Sequence, residues 1–180
     1  MSLHDRVEAA FITVMHKYLY SLFVDPTEML VSAGLKKGDS VLEVGFGPGF
    51  FTIPAADIVG EDGFIYAIEI NPIFVKKVKR KIEKIDKSNI DIKLENVTQT
   101  SLDDNSIDVA FFFGVFHNLT AIIDELVKEM NRILKPGGLM SIQKSGRPME
   151  KYLDQITKSG KFEVMEIKKR VILVKKKKEK

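Results

Sequence analysis

The amino-acid sequence predicts an α/β fold: a seven-stranded, mostly parallel sheet with helices on both faces and an antiparallel C-terminal strand. Between residues 40 and 143, short apolar runs of strand length alternate with longer segments whose apolar residues recur at helical spacing. This alternation is typical of parallel β-α units. The last two apolar runs follow each other too closely to be parallel neighbours, so at least one of them is antiparallel.

The strands and helices follow from these patterns in chain order. Apolar residues keep a helical spacing over 5–33 and are interrupted at Asp25-Pro26, which predicts two helices, the second capped by Asp25. The run from Ile107 to Val115 is apolar apart from Asp108, which predicts a central strand covered on both faces. The predicted strands are 40–44, 64–68, 90–94, 107–115, 139–143, 162–167 and 170–174, and the later helices are 50–59, 71–85, 120–134 and 149–158.

The length of 180 residues is typical of a single domain. We divide it into N-terminal helices that form a cap (1–34), an α/β core (35–174) and a basic tail (175–180). The sequence contains no cysteine, which excludes disulfides and cysteine chemistry and fits a cytoplasmic location. Its three histidines are too scattered for a zinc site, so we expect no metal.

Most of the excess positive charge lies at the C-terminal end. The net charge is +3, but residues 168–180 contain eight Lys or Arg and one Glu, so the remainder has 20 basic and 24 acidic residues, about −4. A second basic cluster, 76–87, alternates with apolar residues as on a solvated helix face. We therefore do not expect the tail to contact nucleic acid or a membrane. The apolar stretch 7–24 is interrupted by polar residues and predicts neither a membrane span nor a secretory signal.

A glycine-rich segment, Gly45 to Gly49, joins a buried strand to a helix. Glycine allows a sharp turn there and a close approach of a ligand to the backbone. A dinucleotide-binding turn has the spacing G-x-G-x-x-G and holds a pyrophosphate, whereas here the third glycine comes one residue earlier. Glu43, just before the turn, suits a ligand with a cationic amino group and would repel a pyrophosphate. Both features argue against NAD.

Five segments, in order, resemble the motifs of one family. Glu43 to Gly49 resembles motif I, E-x-G-x-G-x-G, of the class I S-adenosylmethionine (SAM)-dependent methyltransferases, and Glu69 resembles the acidic residue that ends their second strand. The resemblance covers roughly residues 36–145 and is closest to the ubiquinone/menaquinone type. It implies a Rossmann-like fold, SAM as cofactor and transfer of the methyl group by in-line displacement. Three later segments also match family motifs: 95–108, 116–119 and 133–138.

The resemblance implies roles for particular side chains. Glu69 would hold both ribose hydroxyls of the cofactor, since a carboxylate at a strand end can accept two hydrogen bonds. Asn96 stands where the family has an adenine-contacting Asp, and its oxygen can still accept from the adenine amino group. The same comparison predicts further cofactor-binding residues: Glu43, Gly45, Phe46, Gly47, Gly49, Ile70, Val97, Phe113 and Gly114.

Two candidate site residues, Asn96 and His117, each allow two interpretations. Asn96 could simply cap a turn, as polar residues after strands often do. His117 follows the fourth strand, where it could be a general base or instead a pocket wall or helix-entry residue. The family's usual pair of histidines is His117-Asn118 here, which puts a mechanism with two imidazoles in doubt.

These observations predict SAM-dependent methyl transfer to a small organic acceptor. The Asn-Pro-Pro-Tyr signature of amide and exocyclic-amine methylation is absent after the fourth strand, where residues 113–116 read Phe-Gly-Val-Phe. The chain also lacks a long insertion that would recognise a macromolecule. Two alternatives belong to other classes: a SAM-binding or partner-binding module without catalysis, and an NAD-type oxidoreductase. The sequence does not indicate an oligomeric state.

Overall fold

The computed structural model describes residues 24–85, 87–144 and 149–178. Seven strands form one sheet in the order β3-β2-β1-β4-β5-β7-β6. The strands are β1 Ser40–Val44, β2 Phe64–Glu69, β3 Ile90–Leu94, β4 Ile107–Phe112, β5 Leu134–Gln143, β6 Phe162–Ile167 and β7 Val171–Lys176. The helices are α1 Pro26–Ser32, α2 Thr52–Val59, α3 Pro72–Ile82, α4 Ile123–Ile133 and α5 Glu150–Thr157.

Strand directions confirm the fold class expected from the sequence. The pairs β1–β2, β1–β4, β2–β3 and β4–β5 are parallel. β7 is antiparallel to both of its neighbours, β5 and β6. Because β6 and β7 are joined by a short connection, they can pair only in this way. The sheet is therefore mostly parallel and has an antiparallel C-terminal strand.

Alternate residues of the central strands belong to two different apolar cores. Val41 of β1 and Phe111 of β4 pack with helices α1, α2 and α3 on one face. Leu42 and Phe112 pack with α4 and α5 on the other face. Helices on both faces leave the strands buried, which explains why β4 is apolar except at Asp108, whose carboxylate accepts from the Ser40 N–H and from Lys135.

Three predicted boundaries were wrong. β4 ends at Phe112 and not at Val115, because Gly114 adopts φ +72° and turns the chain into two 3₁₀ turns, Phe116–Asn118 and Thr120–Ile122. Those turns delay the start of α4 to Ile123. β5 begins at Leu134, since the Lys-Pro-Gly-Gly segment is accommodated as an irregularity in the pairing between Leu134 and Leu139.

The predicted basic tail also needs a correction. β7 extends to Lys176, which is only 6% exposed, so residues 175 and 176 belong to the sheet. At the other end of the chain, most of the predicted cap (1–34) lies outside the described residues. Its described part contains α1, capped by Asp25 through bonds to the N–H groups of Thr27 and Glu28. Within the described ranges, no helix is long and apolar enough to cross a bilayer.

Candidate active site

A cavity of about 450 Å³ lies at the carboxyl ends of β1 to β4. The strand order reverses between β1 and β4, and open α/β sheets bind their ligands at such a position. Ten of the twelve site residues predicted from the sequence line this cavity, and Gly49 and His117 do not. The ten are Glu43, Gly45, Phe46, Gly47, Glu69, Ile70, Asn96, Val97, Phe113 and Gly114.

The three glycines of the turn after β1 have different neighbours. Gly47 has φ +51°, and a Cβ placed there would meet nothing within 4 Å, so its backbone is open to the cavity. A Cβ on Gly45 would lie 2.8 Å from Cγ2 of Val115, so this residue must be small for β1 and the segment after β4 to meet. Gly49 faces Val78 of α3 instead of the cavity. The turn therefore combines close packing with an open backbone beside the ligand space.

Glu69 is held by three backbone N–H groups. Its Oε1 accepts from Ile70 (2.8 Å) and Asn71 (3.0 Å), and its Oε2 accepts from Gly47 across the cavity (3.0 Å). A carboxylate oxygen accepts about two hydrogen bonds. Oε2 thus keeps one acceptor direction for a ligand, whereas both directions of Oε1 are used. The sequence predicted that Glu69 would accept hydrogen bonds from two ribose hydroxyls. The three backbone N–H groups leave room for one further hydrogen bond, on Oε2.

Glu43 is a buried carboxyl group at the base of the cavity. Its side chain lies on the same face as Val41 and is 2% exposed. Burial raises the pKa of Glu43 from 4.5 to about 8; the Thr52 hydroxyl opposes the rise and the negative charge of Glu69 adds to it. Glu43 Oε2 and Thr52 Oγ1 are both buried without a well-formed hydrogen bond to the described residues. At neutral pH the group is therefore mostly protonated, and not the fixed charge assumed from the sequence.

A family model described as "Methyltransferase domain" matches residues 42–142, more than half of the chain. The chain belongs to this family. The match contains the glycine turn, Glu69, Asn96 and the segment after β4. The resemblance drawn from the sequence, to class I SAM-dependent methyltransferases near the ubiquinone/menaquinone type, is confirmed, and the NAD-type alternative is not favoured.

Individual relatives agree with this assignment. The chain is 31% identical over 130 residues to the ubiquinone/menaquinone biosynthesis C-methyltransferase of Pseudoalteromonas translucida, which covers 71% of this chain and 51% of that protein. It is 29% identical over 110 residues to an arsenite methyltransferase of Halobacterium salinarum, covering 61% of this chain and 28% of that protein. The chain thus spans about half the length of these curated relatives or less. The crystal structure of a SAM-dependent methyltransferase from Aquifex aeolicus is similar with a TM-score of 0.68 and 26% identity, covering 84% of this chain and 88% of that one.

In this methyltransferase domain, Asn96 lines the cavity, but its side-chain oxygen already accepts two hydrogen bonds within the protein. Oδ1 accepts from the backbone N–H of Thr98 (3.0 Å) and from its hydroxyl (3.1 Å). A backbone N–H can only donate, so these bonds also fix the orientation of the amide. The group that Asn96 presents to a ligand is therefore Nδ2, a donor, and not the acceptor oxygen expected for an adenine amino group.

Aromatic rings form one wall of the cavity. The rings of Phe51 and Phe113 lie 4.9 Å apart, as do those of Phe111 and Phe113 and those of Phe50 and Phe51. All four side chains line the cavity. The sequence predicted Phe113 as a residue of the site, but it did not indicate that Phe50 and Phe51, in the turn before α2, would contribute to the same wall.

His117 lies outside the cavity lining. It is exposed, and its backbone carbonyl accepts from the Thr120 hydroxyl (3.2 Å). Asn118, Leu119 and Ile122 line the cavity instead, together with Val115. Sequence reasoning missed these residues, although their spacing of three, one and three is that of one helical face.

In the part of the chain that the structure describes, no group of three or more His, Cys, Asp or Glu side chains could hold a metal ion.

Proposed function

We propose that this chain is a SAM-dependent methyltransferase that acts on a small, largely apolar organic acceptor. The proposal depends above all on the hydrogen bond from Gly47 to Glu69, which joins the glycine turn to the carboxylate at the end of β2. This bond places an acceptor for ribose hydroxyls beside a backbone that is open to a ligand.

The residues around the cavity fit SAM by their chemistry. Glu43, buried and without a well-formed hydrogen bond, suits the cationic amino group of the methionine part, since a buried acid is stabilised by an opposite charge. Glu69 Oε2 would accept from the ribose. Ile70, Asn96 and Val97 would surround the adenine, with Asn96 donating. When bound, SAM supplies an electrophilic methyl group on a sulfonium.

The remaining roles are orientation and exclusion of water. Methyl transfer needs no covalent enzyme intermediate, so alignment of the acceptor in an apolar space accounts for much of the rate. The wall of Phe50, Phe51, Phe111 and Phe113 provides such a space. His117 lies outside the cavity lining, so it could accept a proton from the acceptor only after a movement of the segment that carries it.

The acceptor class is supported by the same wall. One relative acts on quinone precursors and another on arsenite, according to their names. These 180 residues contain no cysteine, and a soft centre such as trivalent arsenic is best held by thiolates. We therefore favour an organic acceptor over arsenite. We also place the protein in the cytoplasm, supported by the absence of cysteine.

Calorimetric titration tests the proposal first. We expect SAM and S-adenosylhomocysteine to bind with one site per chain and NAD not to bind. Turnover is then measured with methyl-labelled SAM against demethylmenaquinone analogues, catechols and arsenite. Binding of NAD in place of SAM would contradict the proposal, and SAM binding with no transfer to any tested acceptor would favour a module without catalysis.

A further inference from the structure

Polar and apolar side chains are unevenly distributed around the cavity. The residues at the ends of β1, β2 and β3 contribute its acidic and most of its amide groups: Glu43, Glu69, Asn71, Glu95 and Asn96. The opposite half is formed by the turn before α2 and by β4 with its following segment. It is apolar apart from one side chain, Asn118, and consists of Phe50, Phe51, Phe111, Phe113, Val115, Leu119 and Ile122.

The 3₁₀ turns after β4 determine which residue faces the cavity. In these turns the N–H of Asn118 donates to the carbonyl of Val115, that of Leu119 to Phe116 and that of Ile122 to Leu119. Val115, Asn118, Leu119 and Ile122 line the cavity. Phe116 is buried behind the turn, with its ring 6.0 Å from Phe112. Because the Phe116 side chain is buried in this way, the turn has Asn118 on the cavity side and His117 outside the cavity lining.

Asn118 also differs in its hydrogen bonds from the other polar residues of the cavity, apart from the buried Glu43, whose Oε2 has no well-formed hydrogen bond to the described residues. Glu69 is occupied by three N–H groups, Asn71 Oδ1 accepts from Ile73, and Glu95 accepts from Ser101. The side-chain amide of Asn118, by contrast, makes no hydrogen bond to any described residue. Asn118 is exposed, and its amide offers both a donor and an acceptor at the rim of an otherwise apolar wall.

We propose that Asn118, and not His117, hydrogen-bonds the methyl acceptor. The acceptor it fits is a planar, uncharged, mostly apolar molecule that carries a hydroxyl or carbonyl oxygen beside its ring. The four phenylalanines contact the ring, and the Asn118 amide fixes its rotation through that oxygen. This inference rests on the proposed function, because the acceptor must lie next to the cofactor.

The test uses two matched probes and two matched variants. 2-Naphthol and naphthalene have the same apolar shape and differ by one hydroxyl. Asn118→Leu replaces the amide by an apolar side chain with the same branching at Cγ, and His117→Leu introduces the same side chain at the adjacent position outside the cavity. Binding of each probe to protein saturated with S-adenosylhomocysteine is measured by ligand-observed NMR, after calorimetry has established saturation and circular dichroism the fold.

Parent protein and His117→Leu should bind 2-naphthol about fivefold more tightly than naphthalene, the ratio expected for one net hydrogen bond. Asn118→Leu should bind the two probes equally. A preference that survives in Asn118→Leu, or is absent in the parent, overturns the inference. Failure of every variant to bind S-adenosylhomocysteine would instead contradict the proposed function, and this inference with it.

The absence of cysteine allows a second measurement. Asn118→Cys and His117→Cys each introduce a single thiol, and their rates of reaction with N-ethylmaleimide are compared with and without S-adenosylhomocysteine plus 2-naphthol. We expect at least fivefold protection at position 118 and none at position 117. Equal protection at both positions, or protection at 117 alone, would show that residue 118 is not the one that faces the bound ligands, and would overturn the inference.

Discussion

The backbone N–H of Gly47 donates a 3.0 Å hydrogen bond to Oε2 of Glu69, which lies 22 residues later in the chain. The bond connects the loops that follow β1 and β2, two adjacent parallel strands. It fixes the Glu69 carboxylate at the edge of the cavity before a ligand arrives. A group that is already oriented loses less conformational freedom when it binds.

Replacing Glu69 with Ala should weaken SAM binding by ~1.5–3 kcal/mol, the scale of hydrogen bonds to a charged group. The fold should persist, because Glu69 ends its strand and is half-buried. Calorimetric titration measures the change, with Glu83→Ala, at the exposed position directly after α3, as the control. Equal affinities in the two variants would remove Glu69 from the cofactor site.

Replacing Gly47 with Ala should reduce SAM affinity at least tenfold. The left-handed backbone at φ +51° costs an L-residue about 1–2 kcal/mol, and the new methyl group would project into the ligand space. Gly160 is a matched control, since it has φ +72°, also has nothing within 4 Å of a built Cβ, and does not line the cavity. Both variants should lose similar thermal stability in denaturation scans. If Gly160→Ala lost as much affinity, strain rather than position would explain the effect.

Much of this arrangement could be predicted from local patterns. Periodicity indicated every strand of the sheet, because burial on one or both faces leaves a repeat that can be read directly. The glycine turn and Glu69 could be found because ligand contacts at strand ends depend on short-range spacing.

Other features depend on how individual side chains are oriented. The donor role of Asn96 follows from Thr98, and the exclusion of His117 follows from the anchoring of Phe116 behind the turn. A pattern of residue types does not contain these orientations. The protonation of Glu43 likewise depends on burial beneath three helices, which only the assembled fold determines.

Glu43 should make the stability of the ligand-free protein depend on pH. Its pKa is about 8 when folded and 4.5 ordinarily, so the folded state binds more protons between these values. The contribution of Glu43 to the free energy of unfolding is therefore fully present below pH 4.5. It is lost as pH rises toward about 8, by at most about 1.4 kcal/mol per pH unit for this one group. Urea unfolding from pH 5 to 8.5 should show this decline in the parent but not in Glu43→Gln. A parallel decline in both proteins would assign the pH dependence to another group.

The same residue should couple SAM binding to proton release. A cationic amino group beside Glu43 favours the ionised carboxylate, so SAM should expel a proton at pH 7. Calorimetry in phosphate and Tris buffers, whose ionisation enthalpies differ, should give different apparent enthalpies for the parent and the same enthalpy for Glu43→Gln. Buffer-independent enthalpies in the parent would show that Glu43 stays protonated when SAM binds.

The hydrogen bonds of Lys176 predict that this residue contributes to stability, although the sequence placed it in a basic tail outside the α/β core. Its ammonium group donates to the carbonyls of Asn131 (2.6 Å) and Leu134 (2.7 Å) and to Oδ1 of Asn105 (2.9 Å), at the C-terminal end of α4. Lys176→Met keeps the length of the side chain but leaves these buried acceptors without that donor, which should cost ~1–3 kcal/mol. For a domain of this size the melting temperature should fall by roughly 2–10 °C.

Lys178→Met, at an exposed position after β7, is the control and should leave the melting temperature unchanged. SAM affinity should be the same in both variants. Equal melting temperatures for parent and Lys176→Met would show that these bonds merely offset the burial of the charge, and that residues 175–180 are dispensable after all.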